Sequence, residues 1–434
     1  MSKVKQKISN IFNRIALAWS IPYYGFYRGH DHIESAEVED IKSLVGASSG
    51  LVNKEFEDAF SNFFGLKSVS FAAGRMGFYA LLRVLDVKPN DEVILTGSTC
   101  AVMANAVLRV GAKPIYADIS KDTLGTSAKS VEKCISLNTK LIVAQHSFGI
   151  PCEISEICRI SKKYNIFLLE DCALAFDSKI DGVKLGLFGD ASLFSFDHTK
   201  PINAMIGGLI CTEDRNLYRK LKEVQKKSGE LSILKQKALF NRFLLERKYC
   251  NPKKYGLFQI IDFVQILSGK LFNKEDPFLT KDSGSEIIDN YPYPSKMPEF
   301  ISLLALNELK RWPNSKQEKE IILKKYISIL NTYGYDSEIT SIYCKNGVEI
   351  IPLRFVFCHD NGVKLRNRMN DFIQVDWTWF KAPIISTTES INNYKYVDGS
   401  CPVSELINKT IVNLPTSIKG NELDDIIERL SILK

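Results

Sequence analysis

The chain has 434 residues, 45% of them hydrophobic and 25% charged, with a net charge of +7. That length suits two domains, or one large α/β domain with a smaller appendage, and the composition is that of a soluble globular protein. Ten scattered cysteines with no CxxC pair argue against a zinc site or a disulfide framework and for a reducing, cytoplasmic setting; five dispersed histidines argue against a metal enzyme.

The charge is uneven. Residues 1–29 hold five basic residues and no acid, and residues 233–275 hold nine against three acids, so the remainder is about −4. A local basic character disfavours a general nucleic-acid binder and leaves room for a membrane surface or an anionic ligand. No signal peptide is evident, and no stretch approaches the roughly 20 apolar residues that span a bilayer.

In chain order, Val4, Ile8, Ile11, Phe12 and Ile15 share one helical face. They predict either an interfacial membrane helix or, the favoured reading, an arm that packs on another subunit, within an N-terminal arm of residues 1–50. Helices follow at 37–44 and 55–64. From Ser68 the pattern predicts strands at 68–72, 92–95, 114–117, 140–145, 166–170, 192–196 and 206–211. Helices intervene at 76–86, 101–110, 128–136 and 153–164. This alternation predicts a mostly parallel sheet covered on both faces, in a large domain of residues 51–295.

Residues 217–290 break the rhythm as a basic helical excursion, with helices at 216–228, 232–249 and 257–268 and a loop at Lys281-Asp282-Ser283-Gly284. Pro292, Pro294 and Pro298 mark a boundary. A helix from Glu299 to Arg311 ends at Pro313, another spans about Lys316 to Tyr333, and a strand at 349–357 follows. With helices near 363–372 and 422–433 these form a small α+β C-terminal domain, residues 296–434.

Two charged residues sit at predicted strand ends, where open α/β sheets bind ligands. One apolar run ends on Glu170-Asp171, and another ends shortly before Thr199-Lys200. An acid and an amine so placed could grip opposite sides of one small cofactor. A lysine can form a Schiff base with an aldehyde cofactor, and a carboxylate can keep a ring nitrogen protonated so that the ring acts as an electron sink. The first strand opens into Ala72-Ala73-Gly74-Arg75-Met76-Gly77, which nearly spells the dinucleotide fingerprint. No acid closes the next strand, so what remains is a glycine turn at a helix N-terminus, suited to a phosphate. His146 reads equally well as a structural histidine or a substrate contact. Trp377, Trp379 and Phe380 read more readily as core than as an entrance lining.

The segments HSFGIPCEI (146–154), LLEDCALA (168–175), GLFGDASLFSFDHTKPINAMIGG (186–208) and CPVSELINKTIVNLP (401–415) occur in the order and spacing of one family. They resemble the DegT/DnrJ/StrS aminotransferases, fold-type-I pyridoxal phosphate enzymes that mostly aminate nucleotide-linked keto-sugars. The resemblance covers about residues 50 to 430, with 225–290 matching poorly. It implies a large domain with a seven-stranded sheet, pyridoxal 5'-phosphate as cofactor, and a homodimer with a shared active site. By position, Lys200 would be the Schiff-base lysine and Asp171 the partner of the pyridine nitrogen, while Ser195, Gly74 and Arg75 would hold the phosphate. An amino donor, glutamate or glutamine in most of the family, and a keto-sugar would be the substrates, in polysaccharide or natural-product biosynthesis.

Some relatives carry histidine in place of the lysine and deoxygenate their sugar instead; here the distance to Gly207 keeps Lys200, not His198, in register. Departures surround this pair. Cys100 stands where many relatives stack an aromatic on the ring, and Leu174 where they place glutamine or histidine. Arg75 replaces threonine or serine, Pro294 falls near an asparagine that reaches the partner subunit's phosphate, and Lys296 replaces an arginine. These changes leave open a dehydratase or isomerase on the same cofactor, or a catalytically silent membrane-associated scaffold.

Overall fold

The computed structural model of the chain describes residues 22–272, 277–279, 291–387 and 390–433. Its centre is a seven-stranded sheet of β1 (Lys67–Phe71), β2 (Glu92–Thr96), β3 (Lys113–Ala117), β4 (Thr139–Gln145), β5 (Phe167–Asp171), β6 (Ala191–Ser195) and β7 (Gly208–Thr212). The spatial order is β1-β7-β6-β5-β4-β2-β3. Only β7 runs against its neighbours; the other strands are parallel. Each of the seven strands expected for this sheet is present, displaced by no more than two residues.

The strands are apolar throughout because both faces are covered. Leu141, Val143 and Leu169 join the cluster built with α1 (Ser35–Ser43), α2 (Leu51–Phe64), α3 (Gly74–Val84) and α4 (Ala101–Arg109), whereas Ile142, Ala144 and Leu168 face the opposite cluster. That second face is closed by Val131 and by Ile154, Ile157 and Ile160 of the next two helices. Parallel pairing brings the carboxyl ends of β4, β5 and β6 to one rim.

The excursion contains three helices, Arg215–Lys227, Ile233–Tyr249 and Tyr255–Phe272, close to the expected bounds. The N-terminal helical face and the loop at 281–284 lie outside the described residues. The first described residues pack on the body of the chain: the N–H of Tyr23 donates to the Pro252 carbonyl, and Tyr24 exchanges backbone bonds with Phe372 and Gln374. Among the described residues, no helix is long and apolar enough to cross a membrane.

Pro313 does not end a helix. One helix of 34 residues runs from Glu299 to Thr332 with Pro313 inside it. A proline removes one helical N–H and crowds the preceding turn, but contacts on both sides carry the helix through. The buried Trp312 donates from Nε1 to Asp177 at 3.1 Å, and the Lys316 ammonium lies 2.9 Å from the same carboxylate. Phe300 to Trp312 pack into the large-domain cluster, and Ile322 to Leu330 into that of the small domain.

The small domain centres on an antiparallel pair, β8 (Arg354–Cys358) and β9 (Ile411–Pro415). The expected strand at 349–357 is therefore divided: Val348–Glu349 pairs with Lys179–Ile180 of the large domain, and β8 begins only at Arg354. Pro352 lies in the interruption and cannot donate to a ladder.

Candidate active site

Asp171 ends β5 and is buried. Its Oδ1 accepts a hydrogen bond from the Ala173 N–H at 2.9 Å, and its carbonyl accepts one from the His146 N–H. Burial pushes its carboxyl above the usual carboxylate range, against the pull of the Ala173 N–H and the Lys200 ammonium. Such a group gains from a cation or an N–H brought to its second oxygen.

Lys200 stands beyond β6, where the backbone turns back with its N–H on the Asp197 carbonyl at 2.9 Å. Burial pulls its ammonium below the ordinary lysine value and Arg354 adds to that pull, while Asp197, Cys100 and Asp171 oppose it. Its Nζ lies 4.6 Å from the centre of the Trp379 ring. The residues that influence Lys200 thus come from the ends of two strands, the start of α4, and β8 of the other domain.

Gly74 begins α3, and Ser195 ends β6. A Cβ on Gly74 would lie 3.4 Å from that of Ser195, so the free N–H groups of the helix start lie beside the serine. The approach is closed from behind by Gly208, whose added Cβ would fall 2.3 Å from the Gly74 Cα. Arg75 points its guanidinium elsewhere: Nη2 donates to the Leu279 carbonyl and, at 3.3 Å, to the Tyr291 hydroxyl. Its backbone N–H remains part of the helix start.

Cys100 caps α4, and the short strand Thr99–Cys100 runs parallel to Ile384–Ile385 of the small domain. Leu174 is buried in the small-domain cluster with Phe26, Phe148 and Phe380. It offers only apolar contact.

The acid pair Glu170-Asp171 divides its labour. Glu170 is fully buried and accepts from the N–H groups of Gly186, Phe188 and Gly189 at 2.6–2.8 Å, which ties the loop ahead of β6. His146 lies 3.1 Å from Glu170 through Nε2, and its Nδ1 accepts from the Cys152 N–H. These bonds fix the tautomer with the proton on Nε2 and make His146 a structural residue. His146, Glu170 and Cys172 are close enough for a metal, yet these protein bonds already occupy the histidine and the carboxylate.

Sequence reasoning passed over three members of the site. Trp379 was weighed as core, and Arg354 was not singled out. Asp197 is the third: its carboxylate lies 3.2 Å from His198 Nδ1 and accepts from the Thr199 N–H and hydroxyl. Burial works against its charge, but His198 and Lys200 outweigh burial and hold the carboxyl well below its usual range.

The residues present fit a flat pyridine ring bearing an aldehyde and a phosphate. A buried carboxylate, an amine with depressed proton affinity, and a glycine-started helix beside a serine supply the three kinds of contact such a group needs.

Residues 30–239 match the sequence model of the DegT/DnrJ/EryC1/StrS aminotransferase family. GDP-perosamine synthase of Escherichia coli O157:H7 is 35% identical over 181 residues, which cover 42% of this chain and 50% of that protein. The UDP-N-acetyl-3-dehydro-alpha-D-glucosamine 3-aminotransferase of Acidithiobacillus ferrooxidans is 36% identical over 155 residues, covering 36% and 42%. In these matches the chain spans about half the length of its curated relatives, or less. The aminotransferase TlmJ of Streptoalloteichus hindustanus superposes with a TM-score of 0.69 at 19% identity, over 95% of this chain and 98% of its own. The fold is thus that of the fold-type-I aminotransferases, as the sequence led us to expect. Residues 30–239, which hold Gly74, Asp171, Ser195 and Lys200, are thus similar to the DegT/DnrJ/EryC1/StrS aminotransferases.

Proposed function

We infer that the protein is a pyridoxal phosphate-dependent aminotransferase that moves an amino group from glutamate or glutamine to a nucleotide-linked keto-sugar. The observation that carries this reading is the placement of Asp171 and Lys200, at the ends of adjacent strands, within electrostatic reach of each other. The family-model match over residues 30–239 and the names of the two curated relatives, both of them nucleotide-sugar enzymes, support the substrate class.

The bound cofactor supplies an electron sink for the bonds broken at the donor carbon. The chain supplies the rest. Asp171, with Oδ1 on Ala173, offers its other oxygen to a ring N–H and holds a proton there. Gly74, the Arg75 N–H and Ser195 receive the phosphate. Lys200 would hold the cofactor through its aldehyde group and, once freed, would carry a proton on Nζ. Its depressed proton affinity suits both tasks, because a neutral amine is the form that attacks and the form that accepts a proton. Leu174 would offer the cofactor no polar partner where many relatives have glutamine or histidine, and Cys100 would offer no stacking aromatic. A second copy of the chain would complete the site, as in the homodimers the family implies, and the work belongs in the cytoplasm.

Purified protein incubated with pyridoxal phosphate is expected to gain a visible absorbance that borohydride fixes onto Lys200. Glutamate labelled in its amino nitrogen is then expected to pass the label to a keto-sugar nucleotide and release 2-oxoglutarate. A colourless protein would sink the cofactor reading. Sugar turnover without 2-oxoglutarate would indicate a dehydratase instead.

A further inference from the structure

The middle helix of the basic excursion, Ile233–Tyr249, has two unlike sides. Leu239, Phe240 and Phe243 are buried in the large-domain cluster. Ile233, Leu234, Lys237, Asn241, Leu244 and Lys248 are exposed. At 3.6 residues per turn these six positions fall in one stripe about 100° wide, which runs roughly 22 Å along the helix. The outer stripe of an ordinary surface helix is polar. Here half of it is aliphatic, with Leu234 72%, Ile233 56% and Leu244 36% exposed.

The charge of the stripe is one-sided. Glu246, the only acid of this helix, is fully buried and lies 2.7 Å from Arg242 Nε. Asp262 of the following helix pairs with the same guanidinium. Both carboxylates are therefore engaged by an arginine on the inward side. Lys237 and Lys248 have no acid on their own helix to answer them, and Lys253 and Lys254, just beyond its end, add two more exposed ammonium groups.

Aliphatic side chains interleaved with lysines suit an anionic lipid surface. The apolar groups enter the boundary between headgroups and acyl chains, while the ammonium groups stay with the phosphates. Other occupants fit this face less well. A second copy meeting it across a two-fold axis would set these lysines against their own images. A nucleic acid strand is gripped by aromatic rings and guanidinium planes, and the stripe holds neither.

We propose that the outer stripe of the helix Ile233–Tyr249, together with Lys253 and Lys254, docks the protein onto an anionic lipid surface. The inference is independent of the aminotransferase reading, since it uses none of the groups around Lys200.

Residues 1–29 are basic as well, so the test substitutes the helix alone, in the full chain. The protein is sedimented with vesicles of phosphatidylcholine alone, and with vesicles of three parts phosphatidylcholine to one part phosphatidylglycerol. Each is run at low salt and at about 1 M salt, where the Debye length is about 3 Å. We expect wild type to sediment with the anionic vesicles only, and less at high salt. The pair Lys237→Glu and Lys248→Glu, and separately the pair Leu234→Gln and Leu244→Gln, should each weaken that binding about 10- to 100-fold. Melting temperature and catalytic rate should stay at wild-type values, because all four side chains are at the surface. Wild type that ignores the anionic vesicles, or that binds neutral ones equally, overturns the proposal. So does either double variant that binds as wild type does, which would place the contact on another segment. Binding to polyglutamate that needs the two lysines and not the two leucines, with no binding to vesicles, would assign the face to an acidic protein and overturns it equally.

Discussion

The rim of the large sheet and the corner where β8 meets it treat charge in opposite ways. At the rim each ionic group has an answering group: Glu170 is saturated by three backbone N–H groups and His146, and Asp171 and Lys200 feel each other. At the corner Arg354 keeps one edge unanswered between two rings. The rim's polar groups are held in place by the fold, as the proposed resident cofactor would require. At the corner the fold bears the cost of a buried charge that aromatic faces offset only in part.

If the rim does carry the chemistry, its substitutions should strike rate far more than stability. Lys200→Ala is expected to lower amino transfer by about 10⁴-fold or more, since one residue serves as attachment point and proton carrier. Thermal unfolding should barely change, because burial already disfavours the charge that is removed. Asp171→Asn comes next, at about 10²- to 10³-fold in kcat, the range for loss of one preorganised charge-stabilising group. A residual rate within a factor of a few of wild type would mean that Asp171 does not govern the ring nitrogen. Stability measured by calorimetry separates both effects from misfolding.

Gly208→Ala should act the other way, on stability and cofactor affinity before rate. Its Cβ would meet the backbone of Gly74, which cannot rotate aside as a side chain can, so α3 must shift from β7. Overpacking of this kind costs about 1–3 kcal/mol. Because the displaced segment is the start of the helix beside Ser195, the dissociation constant for pyridoxal phosphate should rise as well. A variant with normal melting and normal cofactor affinity would show that the close approach is not needed.

Much of the rim is legible in the sequence because its signals are local. Apolar runs such as Leu141 to Ala144 specify a strand buried on both faces, and Asp171 and Lys200 follow such runs directly. Glu170 and Asp171 could not be told apart that way. Which faces the loop and which the site depends on the side-chain alternation of one strand and on where the loop after it returns. Arg354 and Trp379 were beyond local signals altogether, since their meaning arises from contacts with Phe26 and Lys200, far away in the chain. The helix through Pro313 was misread for the same reason: the local cost of proline is real, but Trp312 and Lys316 reach Asp177 across the fold and outweigh it.

The smallest expected effect tests whether Asp197 belongs with the answered charges of the rim. His198 is half-buried, and its desolvation works against its charge, yet Asp197 outweighs that and raises its proton affinity; Asp197 is held low in return. The histidine's contribution is fully present below its unfolded value near pH ~6.5 and is lost as pH rises through the higher folded value. The aspartate's is present above about pH 4 and lost as pH falls through its depressed folded value. Asp197→Asn should therefore lower the melting temperature most between about pH 4 and pH 6.5 and progressively less above that window. The Asp197 side chain is 41% exposed, so solvent screening limits the effect to about 1 kcal/mol or less. A difference that stays constant from pH 5 to pH 9 would show that Asp197 acts through its bonds to Thr199 and not through the imidazolium, and the rim would then hold one carboxylate whose partner is the backbone turn that presents Lys200.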